Sequence, residues 1–332
     1  MRLLITGGSG FIGVNLINRL LGMGAKLVVL DDLSVGKFEY LQEVAPLIRK
    51  VPADCVGKGH GRDPLFVQGD IRNFKLVKTV VAGVDAIVHL AAHTRVIESI
   101  ERPQHDMEIN VNGTVNLLEA ARIHGVRRFI LASSGAALGE QEPPINEGKA
   151  PRPAAPYGAS KLAGEGYCSA YFQSFGIATA ALRFSNVYGP RSFHKGSAVA
   201  HFMKNVLQGK PLVIYGDGTQ TRDFLYIQDL CEAICSCLFA AQEEIGGQVF
   251  QVATGKETSV NEVVSIIREL ATKAGIKVEV HYEAARKGEV YRNYAEIGKA
   301  ERLLGYRPKT TLEEGSQATW DWFLGKFKEM LA

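Results

Sequence analysis

Gly7, Gly10 and Gly13 stand at three-residue spacing in TGGSGFIG, directly after the apolar run RLLI and directly before a helically patterned segment, residues 14–23. A turn of this kind lets a strand feed a helix, and its missing Cβ atoms allow a pyrophosphate to approach backbone N–H groups at the helix N-terminus. The next apolar strand, KLVVLDD, sets Asp31 18 residues past Gly13. A carboxylate there accepts hydrogen bonds from the adenosine ribose and repels a 2′-phosphate. The expected cofactor is therefore NAD rather than NADP, held by Gly7, Gly10, Phe11, Ile12, Gly13 and Asp31.

Further apolar runs, PLFVQGD, DAIVHLAA, RRFILASS and TAALRFSN, alternate with helical patterns such as NVNGTVNLLEAARIHG and residues 160–175. Strands apolar on both faces belong to a parallel sheet covered on both sides, so the fold class expected is α/β, a doubly wound parallel (Rossmann) sheet. Past about residue 190 the rhythm loosens. SAVAHFMKNVLQG and VNEVVSIIRELATKAG read as helices, and PLVIY, QVFQVA and KVEVHY as short strands of a smaller α+β portion. The division expected is 1–180 for the nucleotide-binding domain, with later segments returning to it, and 181–332 for a mainly substrate-binding one.

The chain of 332 residues, 46% hydrophobic and 22% charged, is long enough for one large core or two unequal ones, which excludes a disulfide miniprotein or a coiled coil. A net charge of +3 gives no broad polyanion surface, so no nucleic-acid partner is expected. Cys55, Cys168, Cys231, Cys235 and Cys237 are odd in number and lack C-x-x-C spacing, which suits free thiols in a reducing compartment. The apolar stretch Leu3 to Ile5 is too short for a signal sequence, and no run approaches a membrane span. Cytoplasmic residence without membrane insertion is the expectation. Residues 50–64 read as a surface loop, and His60 within it has no companions at metal-ligand spacing.

Small residues Ala91 and Ala92 end a strand where a dinucleotide would cross the sheet edge. Asp70 and Ile71 either border the adenine or cap their own loop, and Asn110 either bonds a sheet-end loop or anchors the following helix. Tyr157 and Lys161 in YGASK share one helical face a turn apart. A tyrosine beside an ammonium is a general base for an alcohol proton, and Ser134 at the end of RRFILASS is placed to bond the same oxygen.

TGGSGFIG with Asp31, DAIVHLAA, NVNGT, Ser134 before Tyr157 and Lys161, LRFSNVYGPR and GDGTQTRDFLYIQDL, in that order, resemble the extended short-chain dehydrogenase/reductase family in its nucleotide-sugar epimerase and dehydratase branch. The resemblance covers nearly the whole chain. It implies Tyr157 as catalytic base, Lys161 orienting the nicotinamide ribose and lowering the tyrosine pKa, and Ser134 assisting at the substrate hydroxyl. It also implies Asn186, Arg222 and Arg286 on a substrate diphosphate, with Asp223 and Glu289 fixing the arginines or bonding the nucleoside ribose.

Dehydratases of the branch carry an acidic pair after the catalytic hydroxyl residue, whereas this chain reads Ser134-Gly135-Ala136. The reaction implied is NAD-dependent 4-epimerisation of a UDP-sugar through a 4-keto intermediate. UDP-glucuronate 4-epimerisation, dehydration, decarboxylation and reduction by the same residues are the alternatives. Leu138 and Thr94 depart from the common epimerase pattern. Asn293 stands where epimerases restricted to plain hexoses place a tyrosine, which implies room for the 2-acetamido group of UDP-GlcNAc or UDP-GalNAc beside UDP-Glc and UDP-Gal. A homodimer is implied, formed by helices at about 104–124 and 160–175. The stripe Val115, Leu118 and Ala121 would face either the partner or its own sheet.

Overall fold

The computed structural model describes residues 1–56, 63–285 and 290–331. The chain opens as β1 (Arg2–Thr6), α1 (Phe11–Gly22), β2 (Lys26–Asp31), α2 (Phe38–Val44), β3 (Arg49–Lys50), β4 (Leu65–Gln68), α3 (Phe74–Val81) and β5 (Ala86–His89). It continues through α4 (Val96–Glu101), α5 (Pro103–Met107), a widened π turn at Glu108–Asn112, α6 (Gly113–His124), β6 (Arg128–Ser134), α7 (Pro156–Phe175) and β7 (Ala178–Phe184). Then follow β8 (Asn186–Tyr188), α8 (Ala198–Leu207), β9 (Leu212–Tyr215), β10 (Thr221–Arg222), β11 (Phe224–Tyr226), α9 (Ile227–Phe239), α10 (Gln242–Ile245) and β12 (Gln248–Val252). The last elements are β13 (Thr258–Ser259), α11 (Val260–Lys273), β14 (Val280–Glu283), α12 (Gly298–Leu304) and α13 (Leu312–Leu331).

Eight strands form one parallel sheet in the order β12-β7-β6-β5-β1-β2-β4-β3. Alternate residues of each strand enter opposite layers. Leu3, Ile5, Val29, Val88 and Ile130 pack with α1 and α9, while Leu4, Val28, Leu30, Ile87 and Phe129 pack with α3 and α6. Both faces are therefore apolar, which is why the strands read as unbroken hydrophobic runs. Pro156 opens α7 at its first turn, and Gly176 closes it in the left-handed conformation at φ +70°. Leu118 and Ala121 lie in the layer against their own sheet with no exposure, and Val115 is only partly buried.

Two features bear on the expected division. The run QVFQVA is β12, an edge strand of the large sheet beside β7, and so a later segment that returns to that sheet. The division expected at residue 180 falls inside β7. The smaller lobe has its own core, in which Val199, Phe202, Met203, Val263, Ile267, Trp320 and Phe323 join α8, α11 and α13 over β9. Its strand pairs are short: β10 with β13, β11 with β8 and β14 with β9. Cys168, Cys231, Cys235 and Cys237 are buried free thiols, and burial raises each thiol pKa. No helix among the described residues is long and apolar enough to cross a membrane.

Candidate active site

Parallel strands bring their carboxyl ends to one edge of the sheet, and Thr6, Asp31, His89 and Ser134 all end strands there. Gly7 lies at φ +68°, and a Cβ on it would stand 2.6 Å from the Ala91 nitrogen. A Cβ on Gly13 would fall 2.5 Å from the Gly7 carbonyl oxygen. Neither position admits another residue without moving backbone. Gly10 stands at the N-cap of α1, with no side chain capping the helix. A bare helix N-terminus beside a glycine cradle fits a pyrophosphate.

Asp31 accepts from Ser9 N at 2.9 Å and from Leu33 N at 2.8 Å, one on each carboxylate oxygen. These bonds aim the carboxylate across the turn and leave lone pairs for ribose hydroxyls. Burial nonetheless raises its pKa. Phe11 and Ile12 form the first helical turn, Phe11 buried in the core and Ile12 packed against it. Ala91 donates its N–H to Thr6 Oγ1 at 3.2 Å, and both Ala91 and Ala92 are partly exposed at the sheet edge.

Asp70 accepts from Arg72 N at 2.8 Å and pairs with the Arg72 guanidinium at 2.6 Å, so it caps its loop. The Arg72 hydrogen bonds lower the carboxyl pKa. The same pair lines an open pocket of about 510 Å³ with Asn73, Glu108 and Asn112. Ile71 is buried against Gly113, where a Cβ would stand 2.4 Å from its Cδ1. Asn110 anchors a loop: its Oδ1 accepts from His93 N at 2.8 Å, and its Nδ2 faces His93 O at 2.9 Å and Asp106 Oδ1 and Ser160 Oγ at 3.1 Å. Its amide is thus committed to protein groups.

Tyr157, Lys161 and Glu165 follow one face of α7, each a turn apart and each buried. Tyr157 N donates to Ser99 Oγ at 3.1 Å, which ties α4 to the start of α7. Ser134 Oγ accepts from Ala136 N at 3.2 Å and acts on the Tyr157 phenol, and the Lys161 ammonium lies 5.9 Å from the Tyr157 ring centroid. Lys161 Nζ donates to the Ala132 carbonyl at 2.9 Å. Burial lowers its pKa to about 8, against the Asp106 and Glu165 carboxylates that pull it up. In the chain alone burial raises the Tyr157 pKa, opposed by the Ser134 hydrogen bond. The Asp106 carboxylate adds to that rise, so the phenol stands above its ordinary value.

Pattern reasoning missed two supports of this site. Glu165 grips Arg183 bidentately at 2.8 and 2.7 Å and accepts from Ser133 Oγ at 2.5 Å, joining α7 to β7 and to the residue before Ser134. The i, i+4, i+8 run of Tyr157, Lys161 and Glu165 was a legible signal for it. His93 is held between Asp106 at 3.1 Å and Glu98 at 3.0 Å, and no periodicity announced that cluster.

On the sugar side, Asn186 is exposed on β8 opposite Phe224 of β11, and Arg222 lies two residues before Phe224, on β10. Arg222 Nη1 donates to Thr221 O at 2.7 Å. Asp223 accepts from Thr254 N and Oγ1 at 2.8 Å and from Gly255 N at 2.9 Å, so it holds the turn after β12. Burial raises its pKa. Asn293 is half-buried two residues after Tyr291, whose carbonyl accepts from Thr221 N at 2.8 Å. Arg286 and Glu289 lie outside the described residues, as does His60.

A dinucleotide cradle at the carboxyl edge of a doubly wound sheet, facing a Tyr-Lys helix, defines an NAD-dependent α/β enzyme. Residues 3–253 match the NAD dependent epimerase/dehydratase family, to which the chain belongs. It is 36% identical over 332 residues to a UDP-glucose 4-epimerase of Mycolicibacterium smegmatis, covering 98% of this chain and 99% of that one. The UDP-glucose 4-epimerase of Thermus thermophilus in complex with NAD superimposes at TM-score 0.82 with 36% identity, over 98% and 99% of the two chains. The UDP-glucose 4-epimerase of Thermotoga maritima with UDP-glucose does so at 0.85 with 31% identity, over the whole of both.

Proposed function

We propose that this protein interconverts C4 epimers of a UDP-sugar, with Tyr157 as the acid and base. The observation that carries the reading is the convergence of Ser134, Tyr157 and Lys161 at the sheet edge that holds the glycine cradle and Asp31. NAD, held by Gly7, Gly10, Gly13 and Asp31, supplies a hydride acceptor and then a donor at the sugar C4. Tyr157 takes the C4 hydroxyl proton and returns it to the inverted alcohol. Ser134, at the end of β6, fixes that hydroxyl, and the Lys161 ammonium stabilises the phenolate. Glu165 and Arg183 hold α7 against β6 and β7, so the three groups keep their spacing.

Asn186 and Arg222, with Arg286, bind the diphosphate, because guanidinium forks match phosphate oxygens. Asn293 leaves room for a 2-acetamido group, so UDP-GlcNAc and UDP-GalNAc are substrates beside UDP-Glc and UDP-Gal. Resolving C4 epimers after incubation with each sugar pair tests both points. Asn293→Tyr is expected to suppress acetylated turnover relative to plain hexose by roughly ten- to hundredfold. An unchanged ratio contradicts the pocket argument.

A further inference from the structure

Both chain neighbours of Arg222 are gripped by one turn. Asp223 accepts from Thr254 N and Gly255 N, and on the other side Thr221 Oγ1 donates to Glu257 Oε1 at 2.7 Å. Residues 253–257 join β12 to β13, and β13 pairs antiparallel with β10, which sets Thr258 opposite Arg222 and Ser259 opposite Thr221. The backbone that presents Arg222 is thus fixed on either side of the arginine by the turn that carries Glu257.

Glu257 also reaches the segment that carries Asn293. Arg292 Nε and Nη2 donate to its carboxylate oxygens at 2.6 and 2.7 Å, fork to fork. The pair is partly exposed, and a surface ion pair of ordinary geometry contributes little. Here the contact is bidentate, Thr221 adds a third hydrogen bond, and the Arg292 guanidinium lies 5.8 Å from the Tyr294 ring centroid. The Arg292 and then the Thr221 hydrogen bonds hold the Glu257 carboxyl down to about 2, so it stays ionised through the neutral range. Beside it, Tyr291 O accepts from Thr221 N at 2.8 Å and Tyr291 Oη meets Thr219 Oγ1 at 2.5 Å. The far side of the same segment is tied to the loop that follows Ser134. Ile145 N donates to Tyr294 O at 3.0 Å, Glu296 N donates to Ile145 O at 2.8 Å, and Asn146 Nδ2 donates to Glu296 Oε2 at 3.1 Å. Ile145 and Ala295 are buried with Leu138 and Ala253 in a small core of their own. Residues 291–296 therefore run from the strand of Arg222 to the loop of Leu138, with Asn293 between the fastenings.

We propose that Glu257 is a positioning residue for the sugar nucleotide: by bonding Thr221 and Arg292 at once, it sets Arg222, on the diphosphate, against Asn293, on the sugar. This rests on the substrate reading above. Glu257 acts through its two partners and not on the substrate itself. An amide in its place keeps one acceptor oxygen where the guanidinium fork needs two. The loss falls on binding, because Ser134, Tyr157 and Lys161 are held by β6 and α7, which the pair does not touch.

The test compares wild type with Glu257→Gln, Arg292→Gln and the double variant. UDP affinity is measured by calorimetry, KM and kcat with the UDP-sugar, and NAD content after heat release from the purified proteins. Each single variant is expected to weaken UDP binding and raise KM by roughly three- to tenfold, with kcat and NAD content unchanged. The double variant is expected to bind no more weakly than either single one, because the same pair is lost in all of them. UDP affinity and KM at wild-type values in both single variants overturn the proposal. Losses that add in the double variant do so too, since the residues then act separately, and so does a joint fall of kcat and NAD content, which marks general loosening of the fold. A wild type that binds no UDP would instead overturn the substrate reading.

Discussion

Lys161 is where function and stability oppose each other. Its pKa falls from 10.5 to about 8 in the fold because burial strips water from the ammonium. Between those values the unfolded chain binds a proton that the folded chain does not, so stability rises with pH across that window. Below about pH 8 both states are charged, and the fold bears roughly 3 kcal/mol for the buried charge. Cofactor-free Lys161→Met is therefore expected to be more stable than wild type by roughly 2 kcal/mol at pH 7, once the Ala132 carbonyl's lost hydrogen bond is subtracted. Urea unfolding at pH 7 and pH 10 checks this: the gain shrinks at the higher pH, and turnover is lost at both. Tyr157, Lys161 and Ser134 were legible because their chemistry depends on spacing along one helix and on a strand end. The commitments of Asn110 and Asp223 were not, because both bond groups from other segments that only the folded chain brings near.

At the scale of elements, a chain of hydrogen bonds links β1, β5 and α6 behind the cradle. Thr6 Oγ1 accepts from Ala91 N and meets His89 Nδ1 at 2.7 Å, while His89 Nε2 meets Thr114 Oγ1 at 3.0 Å. Thr114 spends its hydroxyl proton on Asn110 O at 2.6 Å, so it must accept from His89. His89 is thereby the neutral Nε2–H tautomer, with Thr6 donating to Nδ1. Burial, and then the Lys161 charge, lower its pKa from 6.5 to about 3. Below about pH 6.5 the unfolded chain takes up a proton that the fold refuses, so this residue removes up to about 1.4 kcal/mol of stability per pH unit until about pH 3. Denaturant midpoints between pH 7 and pH 4 are expected to fall, and His89→Gln to flatten that fall. The strands themselves were readable from apolar runs, since two buried faces leave no alternation to misread. The short strands β8, β10, β11 and β13 were not, because two or three residues carry no period.

At the scale of the molecule, the large sheet and the smaller lobe share one continuous chain that crosses between them repeatedly. β12 is such a returning segment, since its partner β7 lies far earlier in the chain. Ile97, Ile100, Met107 and Tyr167, on α4, α5 and α7, are 73%, 61%, 47% and 42% exposed. Apolar residues exposed on these neighbouring helices suit the homodimer that the resemblance implies, and light scattering is expected to give twice the chain mass. A monomeric mass would contradict that expectation.

The central claim is a redox cycle closed within one active site, which leaves no net reduced cofactor. The direct measurement is incubation of purified protein with single UDP-sugar epimers without added NAD, with C4 epimers resolved by NMR. Wild type is predicted to reach the same epimer mixture from either side, and Tyr157→Phe to slow this by roughly a hundred- to ten-thousandfold. Net NADH release, loss of CO₂ or a stable 4-keto-6-deoxy product would contradict the account.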